Sequence, residues 1–118
     1  MPNYYGVPEL TVEQAARMRS SGEPFILLDV REAPELQLAN LGDGVTWVPL
    51  SELAARRLEA LPAAMADKGQ QVLVLCHHGN RSAQVAAWLM TQGWTNVWNV
   101  AGGIDAWARQ VDRSVGVY

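Results

Sequence analysis

Two short runs of apolar residues constrain the fold of this chain more than any other feature of its sequence. Residues 25–30 (FILLDV) and 71–75 (QVLVL) are almost continuously apolar, without the alternation of a half-exposed strand. A strand with this pattern is buried on both faces, as in a parallel sheet that helices cover on each side. Residues 45–48 and 96–100 are two further strand candidates, so the chain is predicted to have a layered α/β architecture.

Helical patterns separate these strands. The predicted helical segments are residues 11–20, a helix capped by Ser51, a turn or two over 61–67, the strongly amphipathic residues 82–92, and a short helix that holds 104–107. The first begins with a capping box, in which Thr11 and Gln14 satisfy each other's main-chain N–H groups. Gly93 is the expected C-terminal stop of the helix over 82–92.

Strands that alternate with helices through short connections predict one α/β domain over residues 1–118. Its centre is expected to be a parallel sheet of about five strands with helices on both faces. The core is expected over about residues 10–108, and the tail at 109–118 is either loose or packed against the body. Trp47, Trp88 and Trp107 are the tryptophans expected in the core.

Charge and composition exclude several classes of function. The chain has 12 acidic and 9 basic side chains, a net charge of −3, which argues against general nucleic-acid binding because that needs a basic surface. No apolar run approaches the ~20 residues of a membrane span, so no membrane partner is expected. The single cysteine cannot form a disulfide within the chain, and residues 1–8 lack the basic and apolar regions of a signal peptide. The cytoplasm is therefore the expected location.

The single cysteine, Cys76, lies between the apolar run that ends at residue 75 and a polar loop that leads into a helix. A thiol among the free N–H groups of a helix N-terminus is favoured as the thiolate, because that terminus carries about half a positive charge. The same N–H groups would bind an oxyanion. Cys76 is therefore predicted to be a nucleophile in an anion-handling site. The alternative is a buried small apolar residue that ends a strand.

Four residues separate Cys76 from Arg81, which suits a tight loop whose N–H groups converge at the entrance of a helix. Gly79 supplies backbone freedom there, and Asn80 tolerates left-handed conformations. Arg81 offers a planar, charged fork for a tetrahedral oxyanion. Ser82 is placed to cap the helix that follows.

His77 and His78 leave two interpretations open. Their imidazoles titrate near neutrality and could transfer protons or steer anions, or they could simply be exposed loop residues. Together with Cys76 they have the composition of a metal site. Three adjacent residues in a tight loop do not easily direct three side chains to one tetrahedral ion, however, and no second cluster supplies a fourth ligand. We therefore predict no metal and no other cofactor.

Four short motifs occur in order along the chain: residues 27–32 (LLDVRE), 44–50 (GVTWVPL), 76–82 (CHHGNRS) and 102–107 (GGIDAW). With these motifs the chain resembles the rhodanese family, specifically its small single-domain sulfurtransferases. The resemblance covers about residues 10–107, and four ordered matches are a more specific signal than any one of them. The chain departs from the family pattern at residues 40–44 (NLGDG), where the family often has a histidine and a compact turn.

The resemblance implies a single rhodanese-like domain in which Cys76 forms a persulfide. It implies a sulfurtransferase that moves a sulfane sulfur from thiosulfate or a persulfide donor to cyanide, a thiol or a protein. The implied substrate-binding loop consists of His77, His78, Gly79, Asn80, Arg81 and Ser82. Asp29 and Arg31 match family positions near the base of this loop, where they are expected either to support it or to form an ordinary strand-end ion pair. The implied partners are a small anionic donor such as thiosulfate and a protein that gives or accepts persulfide sulfur.

Two other functions remain open. A cysteine phosphatase or arsenate reductase also presents a thiolate to a tetrahedral anion, but the rhodanese-related phosphatases carry five residues between cysteine and arginine where this chain has four. A module that relays sulfur without efficient turnover, or that only binds a partner protein, is the second alternative. The intact Cys76 argues against a role in binding alone.

Overall fold

A computed structural model of the chain describes residue 3 and residues 5–118. Strands and helices alternate along this part of the chain in the following order: β1 (Glu9–Leu10), α1 (Val12–Ser21), β2 (Ile26–Asp29), α2 (Ala33–Leu36), β3 (Val45–Trp47), α3 (Leu50–Arg56), β4 (Val72–Leu75), α4 (Asn80–Thr91), β5 (Val97–Val100) and α5 (Gly103–Gln110). Short 3-10 helices lie at Arg57–Ala60, Ala63–Met65 and Arg113–Val115. Residues 1–8 were predicted not to form a signal peptide. Residues 1, 2 and 4 of this segment lie outside the described residues.

The strands form one sheet in the order β1-β5-β4-β2-β3, and each neighbouring pair is parallel. Asp29 at the end of β2 is in register with Leu75 on β4 and with Trp47 on β3. The carboxyl ends of these strands therefore meet at one edge of the sheet. The predicted parallel sheet of about five strands is confirmed. Its edge strand β1 was not predicted, because a strand of two residues is too short to show a periodic pattern.

Helices cover both faces of the sheet, as predicted. Alternate residues along each strand point to opposite faces, which gives two apolar cores. One core lies under α3 and α4 and consists chiefly of Ile26, Leu28, Leu53, Val72, Val74, Val85, Ala86, Leu89 and Val97. The other lies under α1 and α5 and consists chiefly of Val12, Ala15, Leu27, Leu73, Leu75, Val100, Ile104 and Trp107. In the described part of the chain, no helix is long and apolar enough to cross a bilayer.

The helix ends agree with the sequence at one position and differ at another. The capping box between Thr11 and Gln14 is present at the start of α1. The prediction that Ser51 caps α3 is wrong, because α3 begins one residue earlier with Pro49 as its N-cap. The main-chain N–H and hydroxyl of Ser51 instead donate to the carboxylate of Glu32, at 3.1 and 2.6 Å.

The tryptophans only partly follow the prediction. Trp107 is buried and Trp88 is half-buried, but Trp47 lies on the edge strand β3 and is 43% exposed. Trp47 is held at the surface by its indole N–H, which donates to the main-chain oxygen of Arg31 at 2.7 Å. Trp94, which was not selected, is buried and donates to the main-chain oxygen of Met65.

The tail beyond α5 packs against the body. The main-chain N–H of Asn40 donates to the main-chain oxygen of Val115 at 3.0 Å. Gly116, with a φ of +100°, lies so close to Leu38 that an added Cβ atom would be 2.5 Å from its main-chain oxygen. Of the two predicted alternatives for the tail, the packed one is therefore correct.

Candidate active site

Cys76 stands directly beyond β4, at the edge of the sheet where the strands end. Its side chain is buried, with 1% of the residue exposed. The Sγ atom accepts hydrogen bonds from the main-chain N–H groups of Gly79 and Ser82, at 3.1 and 3.3 Å. Both donors lie at the N-terminus of α4, where N–H groups have no partner within the helix. They are placed to stabilise negative charge on the sulfur.

Gly79 gives the loop its turn into α4. Its φ of +100° lies in the left-handed region that favours glycine, and it is the N-cap of the helix. A Cβ atom at this position would lie 3.2 Å from the main-chain nitrogen of Gly102. Asn80, the other residue considered for a left-handed conformation, is instead the first residue of α4 and is exposed.

Ser82 does not cap α4, contrary to the prediction, because the helix begins two residues before it. Its hydroxyl is buried, lies 3.2 Å from Cys76 Sγ and donates to Asn99 Oδ1 at 2.5 Å. A hydroxyl has a single hydrogen, so a serine that donates to Asn99 presents an oxygen lone pair to the sulfur. In the thiol form of Cys76, the S–H group can donate to this oxygen.

Asn99, buried on β5, ties the loop to the sheet. Its side-chain amide donates to the main-chain oxygen of Gly79 at 3.0 Å and to Glu9 Oε2 at 2.6 Å. Together with the bond from Ser82, these contacts use both ends of the amide. Neither Asn99 nor Glu9 was predicted from the sequence to belong to the site. A polar residue within an otherwise apolar strand was the signal, because a buried amide needs partners.

The N-terminus of α5 holds the opposite side of the loop. The main-chain N–H groups of Ile104 and Asp105 donate to the main-chain oxygens of Cys76 and His77, at 2.8 and 3.0 Å. Gly103 allows this approach, since a Cβ atom there would lie 2.4 Å from the Cys76 oxygen and 2.5 Å from the His77 oxygen. Its φ of +63° is also in the left-handed region.

Gly103→Ala is expected to lower both the stability of the protein and the reactivity of Cys76. Gly22→Ala is the matched control, because Gly22 has a similar φ of +76° and open space around it. Gly22→Ala should cost only the left-handed strain, about 1–2 kcal/mol. Gly103→Ala should lose clearly more, since the clash separates α5 from the loop. Urea unfolding and the rate of Cys76 alkylation measure the two effects, and equal losses in both variants would contradict this account.

Arg81 is bound by Glu35 of α2 through two hydrogen bonds of 2.7 Å, one from Nη1 and one from Nη2. These bonds are the main reason that the pKa of Glu35 falls to about 2, against the effect of burial. The same pairing raises the pKa of Arg81, so its guanidinium stays charged. Glu35 was missed from sequence because a pairing across 46 residues leaves no local pattern.

Asp29 and Arg31 form a buried ion pair at the end of β2. Arg31 donates from Nε to both carboxylate oxygens at 3.1 Å and from Nη2 at 2.9 Å. Burial opposes the charge of Arg31, but the hydrogen bonds to Asp29 and Tyr118 outweigh it, and the pKa of Arg31 is raised. Arg31 also donates to the main-chain oxygen of Glu35 at 3.2 Å. Glu35, which binds Arg81, thus connects the ion pair to the candidate site.

The two histidines of the loop differ in their surroundings. His78 is exposed, whereas His77 is half-buried with its ring stacked on Tyr118, the centroids 3.7 Å apart and the planes at 8°. His77 Nε2 lies 2.9 Å from the main-chain oxygen of Tyr118. Burial lowers the pKa of His77, and the neighbouring His78 adds to the effect. Both effects favour the neutral form of the His77 ring.

Among the described residues, the side chains that come together as metal-ligand candidates are His77, His78 and Asp105. Their ligand atoms lie within 4.8 Å of one another. Within this group, His78 Nδ1 lies 3.9 Å from Asp105 Oδ2. The Asp105 carboxylate is also bound by Arg109 Nε at 3.0 Å.

Comparisons with known proteins place these observations in a family context. A family model described as Rhodanese-like domain matches residues 11–110. The chain is 35% identical to thiosulfate sulfurtransferase GlpE of Pseudomonas savastanoi pv. phaseolicola, over 80% of this chain and 81% of that protein. It is 30% identical to the putative sulfur carrier protein YrkF of Bacillus subtilis, over 93% of this chain and 56% of that protein.

Longer proteins contain a similar segment. The maize adenylyltransferase and sulfurtransferase MOCS3-1 is 35% identical over 99% of this chain, but the chain spans only 26% of its length. Among solved structures, reduced Bacillus anthracis CoADR-RHD is similar with a TM-score of 0.73 and 31% identity, over 95% of this chain and 18% of that one.

Proposed function

Because this chain belongs to the rhodanese-like domain family, we propose that it is a sulfurtransferase that works through a persulfide on Cys76. The proposed donor is thiosulfate or a persulfide, and the proposed acceptor is a thiophilic molecule such as cyanide, a thiol or a protein. The sulfurtransferase relatives, which match most of the chain, support this class of activity.

The observation that carries the proposal is the surroundings of Cys76 Sγ. Two main-chain N–H groups donate to this sulfur at the N-terminus of α4, and Arg81 is the second residue of that helix. N–H groups fixed in advance stabilise an anion without reorganisation when it forms. Such a cradle suits a thiolate, a persulfide anion and the anionic leaving group of a sulfur donor.

The proposed reaction has two displacements at sulfur. The Cys76 thiolate attacks the outer sulfur of thiosulfate, a new S–S bond forms, and the old S–S bond breaks with its electron pair leaving on sulfite. The acceptor then attacks the outer sulfur of the Cys76 persulfide, and that S–S bond breaks to restore the thiolate. Arg81 and the loop N–H groups are proposed to hold the sulfonate end of the donor.

Intact-mass measurement before and after thiosulfate tests the proposal. We expect the reduced protein to gain one sulfur atom, which cyanide removes, and the Cys76→Ser variant to gain none. As Cys76 is the only cysteine, the site of any gain is unambiguous. Absence of a gain with thiosulfate and with a protein persulfide donor would falsify the proposal.

A sulfur relay is the second candidate function, favoured by the similarity to a putative sulfur carrier protein. A relay would gain sulfur from a protein persulfide donor but turn over thiosulfate and cyanide poorly. The net charge of −3 suits docking of a basic partner that delivers sulfur. The ratio of persulfide formation to thiocyanate production therefore separates the two candidates.

The phosphatase or arsenate reductase alternative predicts a different product. Four residues separate Cys76 from Arg81, one fewer than in the rhodanese-related phosphatases, so we propose that the loop is too short for phosphate. Hydrolysis of an aryl phosphate that disappears in Cys76→Ser would reverse this ranking.

Since the thiol has to be reduced before it reacts, we also propose a reducing compartment such as the cytoplasm.

A further inference from the structure

Tyr118 connects residues of the candidate site that are far apart in sequence. Its hydroxyl donates to Glu35 Oε1 at 2.8 Å and accepts from Arg31 Nη1 at 3.2 Å. Its ring stacks on His77, and its main-chain oxygen lies 2.9 Å from His77 Nε2. One side chain thus contacts the carboxylate that binds Arg81, the buried arginine behind it and the loop that carries Cys76.

The Tyr118 hydroxyl acts on Arg81 through Glu35. Both terminal nitrogens of Arg81 bond to the Glu35 carboxylate, so the orientation of that carboxylate sets the orientation of the guanidinium. Each carboxylate oxygen has one further donor. Oε2 accepts from the Glu32 N–H at 2.9 Å, and Oε1 accepts from Tyr118. Loss of the tyrosine hydroxyl leaves Oε1 with Arg81 as its one hydrogen-bond donor among the described residues and allows the pair to rotate about Oε2.

The attachment of the tail does not depend on this hydroxyl. Val115 is held by the Asn40 N–H, and Gly116 packs closely against Leu38. The hydroxyl of Ser114 and its N–H both donate to Asp112, which fixes the turn before them. A change of Tyr118 to phenylalanine should therefore leave the tail in place and keep the ring on His77.

We propose that Tyr118 is a positioning residue, which holds Glu35 so that Arg81 meets the anionic sulfur donor in a fixed orientation. This inference rests on the proposed sulfur transfer at Cys76. If Tyr118 orients Arg81 in this way, the sulfur donor should carry a negative charge on atoms other than its reactive sulfur. A neutral donor would gain little from an oriented guanidinium.

Tyr118→Phe is the first variant to test, since it removes the hydroxyl and keeps the ring. We expect the KM for thiosulfate to rise about fivefold, with kcat within about twofold of the unchanged protein. Val117→Ala is the matched control, because Val117 is the preceding residue of the tail and is exposed. It should change neither constant. A purely structural role for Tyr118 predicts lower stability with KM unchanged.

A double variant tests the route of the effect. If Tyr118 acts through Arg81, then Tyr118→Phe should cause no further rise in KM in the Arg81→Ala background. Independent, multiplying effects of the two changes would overturn the proposed route. Tyr118→Ala, which also removes the ring from His77, is expected to raise KM at least as much as Tyr118→Phe.

Alkylation of Cys76 separates failure of this inference from failure of the proposed function. The ratio of the alkylation rate with anionic iodoacetate to that with neutral iodoacetamide reports how well Arg81 attracts an anion, whether or not sulfur is transferred. We expect this ratio to fall in Arg81→Ala and Tyr118→Phe but not in Val117→Ala. A protein that forms no persulfide and still shows this pattern would retain the inference and lose the function. A protein that forms the persulfide while Tyr118→Phe changes neither the ratio nor KM would lose the inference alone.

Discussion

Replacement of Cys76 by serine is expected to reduce the turnover of thiosulfate and cyanide by at least about 10³-fold, because the nucleophile itself is removed. A serine hydroxyl is a far weaker nucleophile than a thiolate and cannot carry the transferred sulfur as a persulfide. The measurement is thiocyanate production together with sulfite release, at saturating thiosulfate.

The fold should survive this change. The serine oxygen can accept hydrogen bonds from the same main-chain N–H groups of Gly79 and Ser82 that now bond to Sγ. Thermal unfolding of Cys76→Ser and Cys76→Ala, compared with the unchanged protein, is the control for structure. Substantial turnover in either folded variant would contradict the assignment of Cys76 as the nucleophile.

The second large effect is on stability, at the buried ion pair behind the site. Asp29→Ala is expected to lower the free energy of unfolding by about 3–5 kcal/mol, because it leaves the charge of Arg31 buried without its partner. The side chain of Arg31 is 0% exposed and that of Asp29 is 3% exposed. Both members of the pair are therefore shielded from solvent in the folded protein.

Glu52→Ala is the matched control for this prediction. Glu52 pairs with Arg56 on α3, but these side chains are 50% and 57% exposed. Loss of such a pair should change stability by no more than about 0.5 kcal/mol. Urea unfolding of the two variants measures the difference. Similar small losses in both would mean that the Asp29–Arg31 pair contributes no more than a surface contact.

The parts of the fold that could be predicted from sequence depend on local patterns. Apolar runs located β2 and β4, and the capping box located the start of α1, because burial and capping act over a few residues. The two-residue strand β1 left no such pattern. Ser82 and Ser51 were both wrongly predicted to be helix caps. In the sequence, a serine before a helical pattern looks like a cap even when its hydroxyl bonds to a carboxylate or an amide in the folded chain.

Only part of the candidate site could be predicted from the sequence, again because the prediction depends on local patterns. Cys76 and the loop that follows it are contiguous, so their spacing was informative. Glu35, Asn99 and Tyr118 reach the loop from other elements, and Tyr118 lies 87 residues from Arg31. Only the folded chain brings these partners together. Trp47 shows the converse, since a large apolar side chain on an edge strand can remain at the surface.

The anchoring of the loop oxygens determines which way its peptide groups face. The main-chain oxygens of Cys76 and His77 point to α5, and that of Gly79 points to Asn99. In a planar trans peptide the N–H opposes the C=O, so the amide hydrogens of residues 77, 78 and 80 face away from α5 and β5. The direction of these three amide hydrogens is thus decided when the domain folds. We therefore expect an arriving anion to meet amide hydrogens that are already oriented, so that discrimination by charge sign would be built into the resting protein.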